Sequence, residues 1–157
     1  MENFADWLQS TAIAMSIGEN WFPQVESLHV IALSIVAGTI FIVDFRLLGL
    51  ASRNLGVTYL SERLLPWTWI AFIGAVITGL LMFSANATRY LENTPFLIKM
   101  GLLLLAGLNM LFFQFVTFRS VRSWDAGRPI PAARLAGALS LLLWTSVIAC
   151  GRWIGFV

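Results

Sequence analysis

Four long apolar runs, at residues 25–50, 65–85, 96–118 and 131–154, occupy most of this 157-residue chain. Each supplies the roughly 20 apolar residues that a helix needs to cross the hydrocarbon of a bilayer. Lipid offers no partner to an unpaired backbone N–H or carbonyl, so a run of this kind crosses as a helix that satisfies its own backbone. The sequence therefore predicts an all-α fold, an integral membrane four-helix bundle forming a single domain. Composition agrees: 59% of the residues are hydrophobic and only 11% are charged, where an ordinary soluble domain carries about a quarter charged. The runs leave no length for a separate soluble domain, so any chemistry has to sit within the bundle or at its mouths.

The first 22 residues follow another pattern, with Phe4, Trp7, Leu8, Thr11, Ala12 and Met15 at helical spacing and Glu2, Asp6, Gln9 and Ser10 on the other side. This predicts an amphipathic helix over residues 3–17, lying in the membrane interface. Gly18 is placed to end it, and Pro23 suits the first turn of the following helix. The segment has neither the basic start nor the long apolar stretch of a cleaved signal peptide.

Basic residues set the expected orientation. Arg46, Arg53, Arg63, Arg119, Arg122, Arg128 and Arg134 flank the first and third loops, against Arg89, Lys99 and Arg152 on the opposite side. That bias puts the two arginine-rich loops in the cytoplasm and both termini in the periplasm of a bacterial inner membrane. Trp7, Trp21 and Trp153 then fall at the outer interface and Trp67, Trp69 and Trp124 at the inner one, leaving Trp144 inside a span. The charges are scattered, which excludes a nucleic-acid footprint.

Helices in lipid associate by close packing and polar contacts, so small residues mark their contact faces. Ala71, Gly74, Ala75, Thr78 and Ala85 form such a stripe on the second span, and Ala133, Ala136, Gly137, Ser140 and Gly151 on the fourth. These stripes exceed what one bundle needs and predict a homo-oligomer. An ideal helical period brings Glu26, His29 and Asp44 to one face of the first span, and Lys99, Met110, Gln114 and Thr117 to one face of the third, with Asn109 beside it.

Glu26 and His29 make a Glu-x-x-His pair on one turn, a spacing used by metal ligands in helical bundles. The expected topology brings Lys99 and Arg152 to the same depth, together with Ser84, Asn86 and Cys150. Ionisable groups within membrane spans are costly and mark functional sites. The candidate site is thus centred on His29, with Glu26 as a second metal ligand and Lys99 and Arg152 as further cofactor-binding residues. A neutral imidazole suits haem iron or copper, and the basic residues suit haem propionates at the water boundary. One His and one Cys rule out a His pair within one chain, a Cys-rich zinc site and an internal disulfide. A second haem ligand would come from a symmetry mate, a Met, a Lys or water. The bland alternative is a polar layer at the helix ends, in which Glu26 pairs with Lys99 or Arg152. At the opposite end Asp44 is expected to bridge to Arg46, Arg119 or Arg134, and Asn109 to hydrogen-bond across to another helix.

At Trp21-Phe22-Pro23, Glu26, His29, Asp44-Phe45-Arg46-Leu47-Leu48-Gly49, Asn93-Thr94-Pro95-Phe96, Lys99 and Asn109 the chain resembles a family of small bacterial four-span inner-membrane proteins of unknown function. The resemblance covers nearly the whole chain and implies its fold and compartment. More distantly the chain is similar to the membrane part of CopD-type copper-resistance proteins, in which an early-helix His and a Lys near the start of a later helix accompany metal handling. His29 and Lys99 match that arrangement. The expected function is haem or metal binding at an outer-leaflet site, for electron transfer or metal handling with a periplasmic redox or metal partner. The alternatives are a transport or channel subunit whose path is lined by Lys99, Asn109 and Asp44, and a ligand-free structural partner.

Overall fold

In the computed structural model, which describes residues 2–52, 54–125 and 127–156, all regular secondary structure is helical. Arg53 lies outside the described residues, as do the side chains of Glu2 and Arg122. The helices are α1 (Glu2–Gln9), α2 (Ala12–Ser16), α3 (Phe22–Leu47), α4 (Val57–Ala85), α5 (Ala87–Glu92), α6 (Thr94–Phe112) and α7 (Pro131–Trp153). Helical stretches over Ala12–Leu47, Val57–Ala85, Thr94–Val121 and Pro131–Phe156 are long and apolar enough to cross a membrane. The chain is thus a multi-pass membrane bundle, with Ile70, Leu80, Leu104 and Leu142 turned outward as lipid requires.

Local chemistry explains where these helices begin and end. Asn93 caps α6, its Oδ1 accepting from the Phe96 amide at 3.0 Å, and Pro95 occupies the first turn. At the end of α3 the Gly49 amide returns to Arg46 and the Leu50 amide to Phe45, with Gly49 at φ 72°. This left-handed cap is one that a glycine makes without steric penalty. The amphipathic N-terminus is divided at Ser10–Thr11, where the Thr11 side chain caps α2. Gly18, expected to stop a helix, instead stands in a π turn over Ile17–Trp21 that carries α2 into α3. The missing side chain serves packing, since a Cβ there would lie 3.7 Å from Ala85 Cβ.

α3 packs along α4 and α7, and α7 along α6, whereas α4 and α6 barely touch. The core joins all four spans through Val36, Ala71, Ala106, Trp144 and Val147. The small-residue stripes lie largely inside this bundle: Ala71, Ala75, Ala133, Ala136 and Gly137 are buried. A Cβ on Gly137 would come to 3.0 Å from Leu47 Cβ and 3.3 Å from the Asp44 carbonyl oxygen. The glycines with open space beside them are others, among them Gly38, Gly101 and Gly107.

The inward face of α6 departs from the ideal period. Lys99 and Ala106 are buried and Phe113 is half-buried, a seven-residue step that turns Met110 and Gln114 outward and Asn109 inward. Asn109 Nδ2 then donates to the Ala136 carbonyl at 3.0 Å, clamping α6 to α7. The same drift along α3 buries Val25 and leaves Glu26 exposed.

Both ends of the chain gather with α5 at one end of the bundle, which we call the termini end. There Gln9 Nε2 donates to Thr88 Oγ1 at 2.6 Å, and Asn93 Nδ2 to the Ile154 carbonyl at 3.4 Å. The opposite, arginine end is closed by Arg46, which is 1% exposed. Its Nε donates to the Leu55 carbonyl at 2.7 Å and its Nη2 to the carbonyls of Asp125 and Gly127 at 2.9 and 3.3 Å. Asp125 in turn caps α4, accepting from the Thr58 amide at 2.8 Å, a favourable place for a negative charge. Gly56 makes room for it, since a Cβ would come to 2.8 Å from Asp125 Oδ2. Trp124, expected in the interfacial belt, is buried with Leu47, Val57, Val121 and Ala133, and its Nε1 donates to Ser120 Oγ.

Candidate functional site

His29 is the centre of the polar layer near the termini end, and its hydrogen-bond partners favour one tautomer. The Thr78 hydroxyl lies 3.0 Å from His29 Nδ1. That hydroxyl has one proton and directs it back along α4 to the Gly74 carbonyl, at 2.7 Å. Thr78 therefore accepts, and Nδ1 carries the hydrogen. The Ala75 carbonyl adds a further hydrogen-bonding contact to the ring. In the neutral imidazole the lone pair is left on Nε2. Gly79 admits the ring, because a Cβ there would come to 3.1 Å from His29 Cε1.

Lys99, on the first turns of α6, is 8% exposed and lies against Gly151 of α7, where a Cβ would be 3.5 Å from its Nζ. It is within electrostatic range of both His29 and Cys150. The layer thus holds an imidazole tied to α4 and an ammonium group on α6, each beside a glycine. α4 and α6 make little direct contact with each other.

Of the four residues expected here, the structure brings His29 and Lys99 together and leaves Glu26 and Arg152 at the periphery. Glu26 is exposed and faces Tyr90 electrostatically. Burial, and then the Glu26 carboxylate, push the Tyr90 hydroxyl above its ordinary range, with Arg89 opposing. Arg152 is exposed, its guanidinium 4.9 Å from the centre of the Phe156 ring. No group of three or more His, Cys, Asp and Glu side chains positioned to hold a metal ion occurs among the described residues. Thr78, Gly79 and Gly151 were placed by sequence only in helix-contact stripes or passed over. The one available signal was Thr78 on a face otherwise made of Ala and Gly.

The arrangement defines a class: a small four-span membrane bundle with a half-buried His29 and a buried Lys99 near the end that holds both termini. Residues 5–157 match DUF6644, a family of unknown function, and the chain belongs to that family. No curated protein and no solved structure matches the chain, so the distant likeness to CopD-type proteins has no support.

Proposed function

We propose that this protein binds haem b near the termini end, with His29 Nε2 as axial ligand, and serves electron transfer in a bacterial inner membrane. The observation that carries the reading is the Thr78 hydroxyl 3.0 Å from Nδ1 and 2.7 Å from the Gly74 carbonyl: with its own proton on that carbonyl it would take the Nδ1 hydrogen and leave Nε2 as the donor atom. Second-shell bonds of this kind orient a ligating imidazole and raise its basicity. Lys99 decides between the expected ligands: a cation within electrostatic range of His29 repels a bare copper ion and attracts a group bearing carboxylates. Haem brings propionates, with Lys99 to hold them and Arg152 at the rim. Glu26, exposed, is left without a metal-ligand role. When bound, haem supplies one-electron redox chemistry, and the chain supplies the ligand, the countercharge and the apolar surround.

With one imidazole per chain, a second imidazole ligand would have to come from another copy of the chain, and we read the protein as a homo-oligomer on that ground. The excess of arginine at the opposite end supports placing that end in the cytoplasm and the termini in the periplasm. Labelling of a cysteine introduced at Arg128 by an impermeant periplasmic reagent would reverse that orientation. For the site, the purified chain in mild detergent is titrated with haemin and read by absorbance. The expected result is a Soret band of a low-spin complex, saturating at one haem per pair of chains and lost in His29→Ala with helical circular dichroism unchanged. An equal spectrum in His29→Ala removes the residue as ligand, and a colourless wild type removes haem.

A further inference from the structure

The carboxyl group of Asp44 is buried where nothing offers it a countercharge. Asp44 lies one turn before the end of α3 and is 4% exposed, and among the described residues its Oδ2 has no hydrogen-bond partner. The bridge expected from Arg46, Arg119 or Arg134 does not form. Arg46 gives its hydrogen bonds to the carbonyls of Leu55, Asp125 and Gly127, and Arg119 and Arg134 are exposed. Glu62 and Arg63 on α4 and Arg128 in the third loop are exposed as well, and Asp125 is engaged at the start of α4. Among the described residues no charged group therefore faces Asp44.

One hydroxyl does face it, and the packing of three helices leaves it free to do so. α3 and α7 come close at this level because Gly137 makes room for the Asp44 carbonyl and Leu47. Ser140, one turn further along α7, is the hydroxyl that faces the Asp44 carboxyl group. Elsewhere in the spans Ser27, Ser34, Thr68 and Thr78 each turn the hydroxyl hydrogen back to the carbonyl four residues earlier. For Ser140 that carbonyl belongs to Ala136, and Asn109 of α6 occupies it, donating from Nδ2 at 3.0 Å. The helix's own amide takes the other lone pair, so the Ala136 oxygen is filled. The Ser140 hydroxyl is left for Asp44, and the bond from α6 to α7 thus prepares a contact from α7 to α3.

A single hydroxyl suits a neutral carboxylic acid, which has one proton to share with it. It is a poor partner for a carboxylate, because an ion in an apolar interior demands an opposite charge or several hydrogen bonds, and otherwise gives way to its neutral form. We propose that Asp44 is a proton-binding site: as a neutral acid it locks α3 to α7 through Ser140, and release of the proton loosens the arginine end of the bundle. The charge left on Asp44 then has to be hydrated, which requires α3 and α7 to part where Gly137 now brings them together. The site is separate from the one at His29 and stands or falls independently of haem.

The test uses the purified full chain in mild detergent. At neutral pH the infrared spectrum of the wild type should contain a carboxylic acid C=O band that is absent from Asp44→Asn. Ser140→Ala should keep the band and move it to higher frequency, as a weaker hydrogen bond requires, and it carries the test if Asp44→Asn fails to fold. Thermal unfolding followed by circular dichroism gives a second readout. Below about pH 4 a carboxyl group is protonated in the folded and the unfolded chain alike, so its proton makes no difference to stability. At higher pH the unfolded chain releases the proton while the folded chain holds it. The wild type should then lose about tenfold in its folding constant per pH unit relative to Asp44→Asn, until the folded chain also lets go. Groups that titrate in both proteins cancel in that difference. A wild-type spectrum without the acid band at neutral pH, or one whose band persists in Asp44→Asn, overturns the proposal. So does a gap between the two midpoints that stays constant from about pH 4 to about pH 8. A band unmoved in Ser140→Ala overturns the lock to α7.

Discussion

Arg46 at one end and Lys99 at the other are both buried cations on spanning helices, and only Arg46 is tied down. Arg46 spreads its guanidinium over three carbonyls from two loops, a use suited to its planar fork of donors. Lys99 rests on Gly151, with no carboxylate or carbonyl bonded to it among the described residues. Burying an ion without a partner costs several kcal/mol in a low-dielectric setting. Where the cost is met by the protein's own groups, as at Arg46, the residue is architectural. Where it is not, as at Lys99, a ligand is the economical explanation.

That contrast can be broken by substitution, and the largest effect belongs to Arg46. Arg46→Met should strand three carbonyls and destabilise the bundle by about 3 kcal/mol or more, read as a loss of thermal midpoint in detergent. A variant as stable as wild type would mean that water replaces the guanidinium and that this end is open.

A smaller effect is expected at Gly137, between the two ends. Leu at this position must displace Leu47, whose Cβ lies 3.0 Å from the site of a new Cβ. Overpacking of this kind costs about 1–3 kcal/mol, so Gly137→Leu should lower the midpoint whatever the oligomeric state. A variant of unchanged stability but reduced oligomer size would instead return this glycine to a subunit interface.

The smallest effect on stability, and the one that sharpens the comparison most, is at Lys99. Lys99→Met removes an unpaired buried charge and should leave stability within about 1 kcal/mol of wild type or raise it, while weakening haemin binding in the absorbance titration. A loss as large as that of Arg46→Met would show that Lys99 has a structural partner and that the two ends are alike.

The spans were legible because twenty-residue apolar runs have one physical solution in lipid, and the cap at Gly49 follows from the same local rules. Directions around each helix were legible only in part. An ideal period placed Lys99 and Thr117 inside correctly but Met110 and Gln114 wrongly, because supercoiling advances the buried face by sevens and turns Asn109 inward instead. His29 and Lys99 were found because an ionisable group in a span stands out; Glu26 was grouped with them by an ideal helical period and Arg152 by depth, which does not set direction. Thr78 stood out only as a hydroxyl on a face of Ala and Gly. Its part depends on where its single proton goes, which requires the positions of the Gly74 carbonyl and the imidazole together.

The bonds of Arg46 also order the protein's biogenesis. Leu55 is delivered with the first hairpin, but Asp125 and Gly127 lie 79 and 81 residues further along the chain. During synthesis the two third-loop carbonyls therefore come within reach of Arg46 only after three of the four spans have been made. The full clasp closes the arginine end by joining the chain's first interhelical loop to its last.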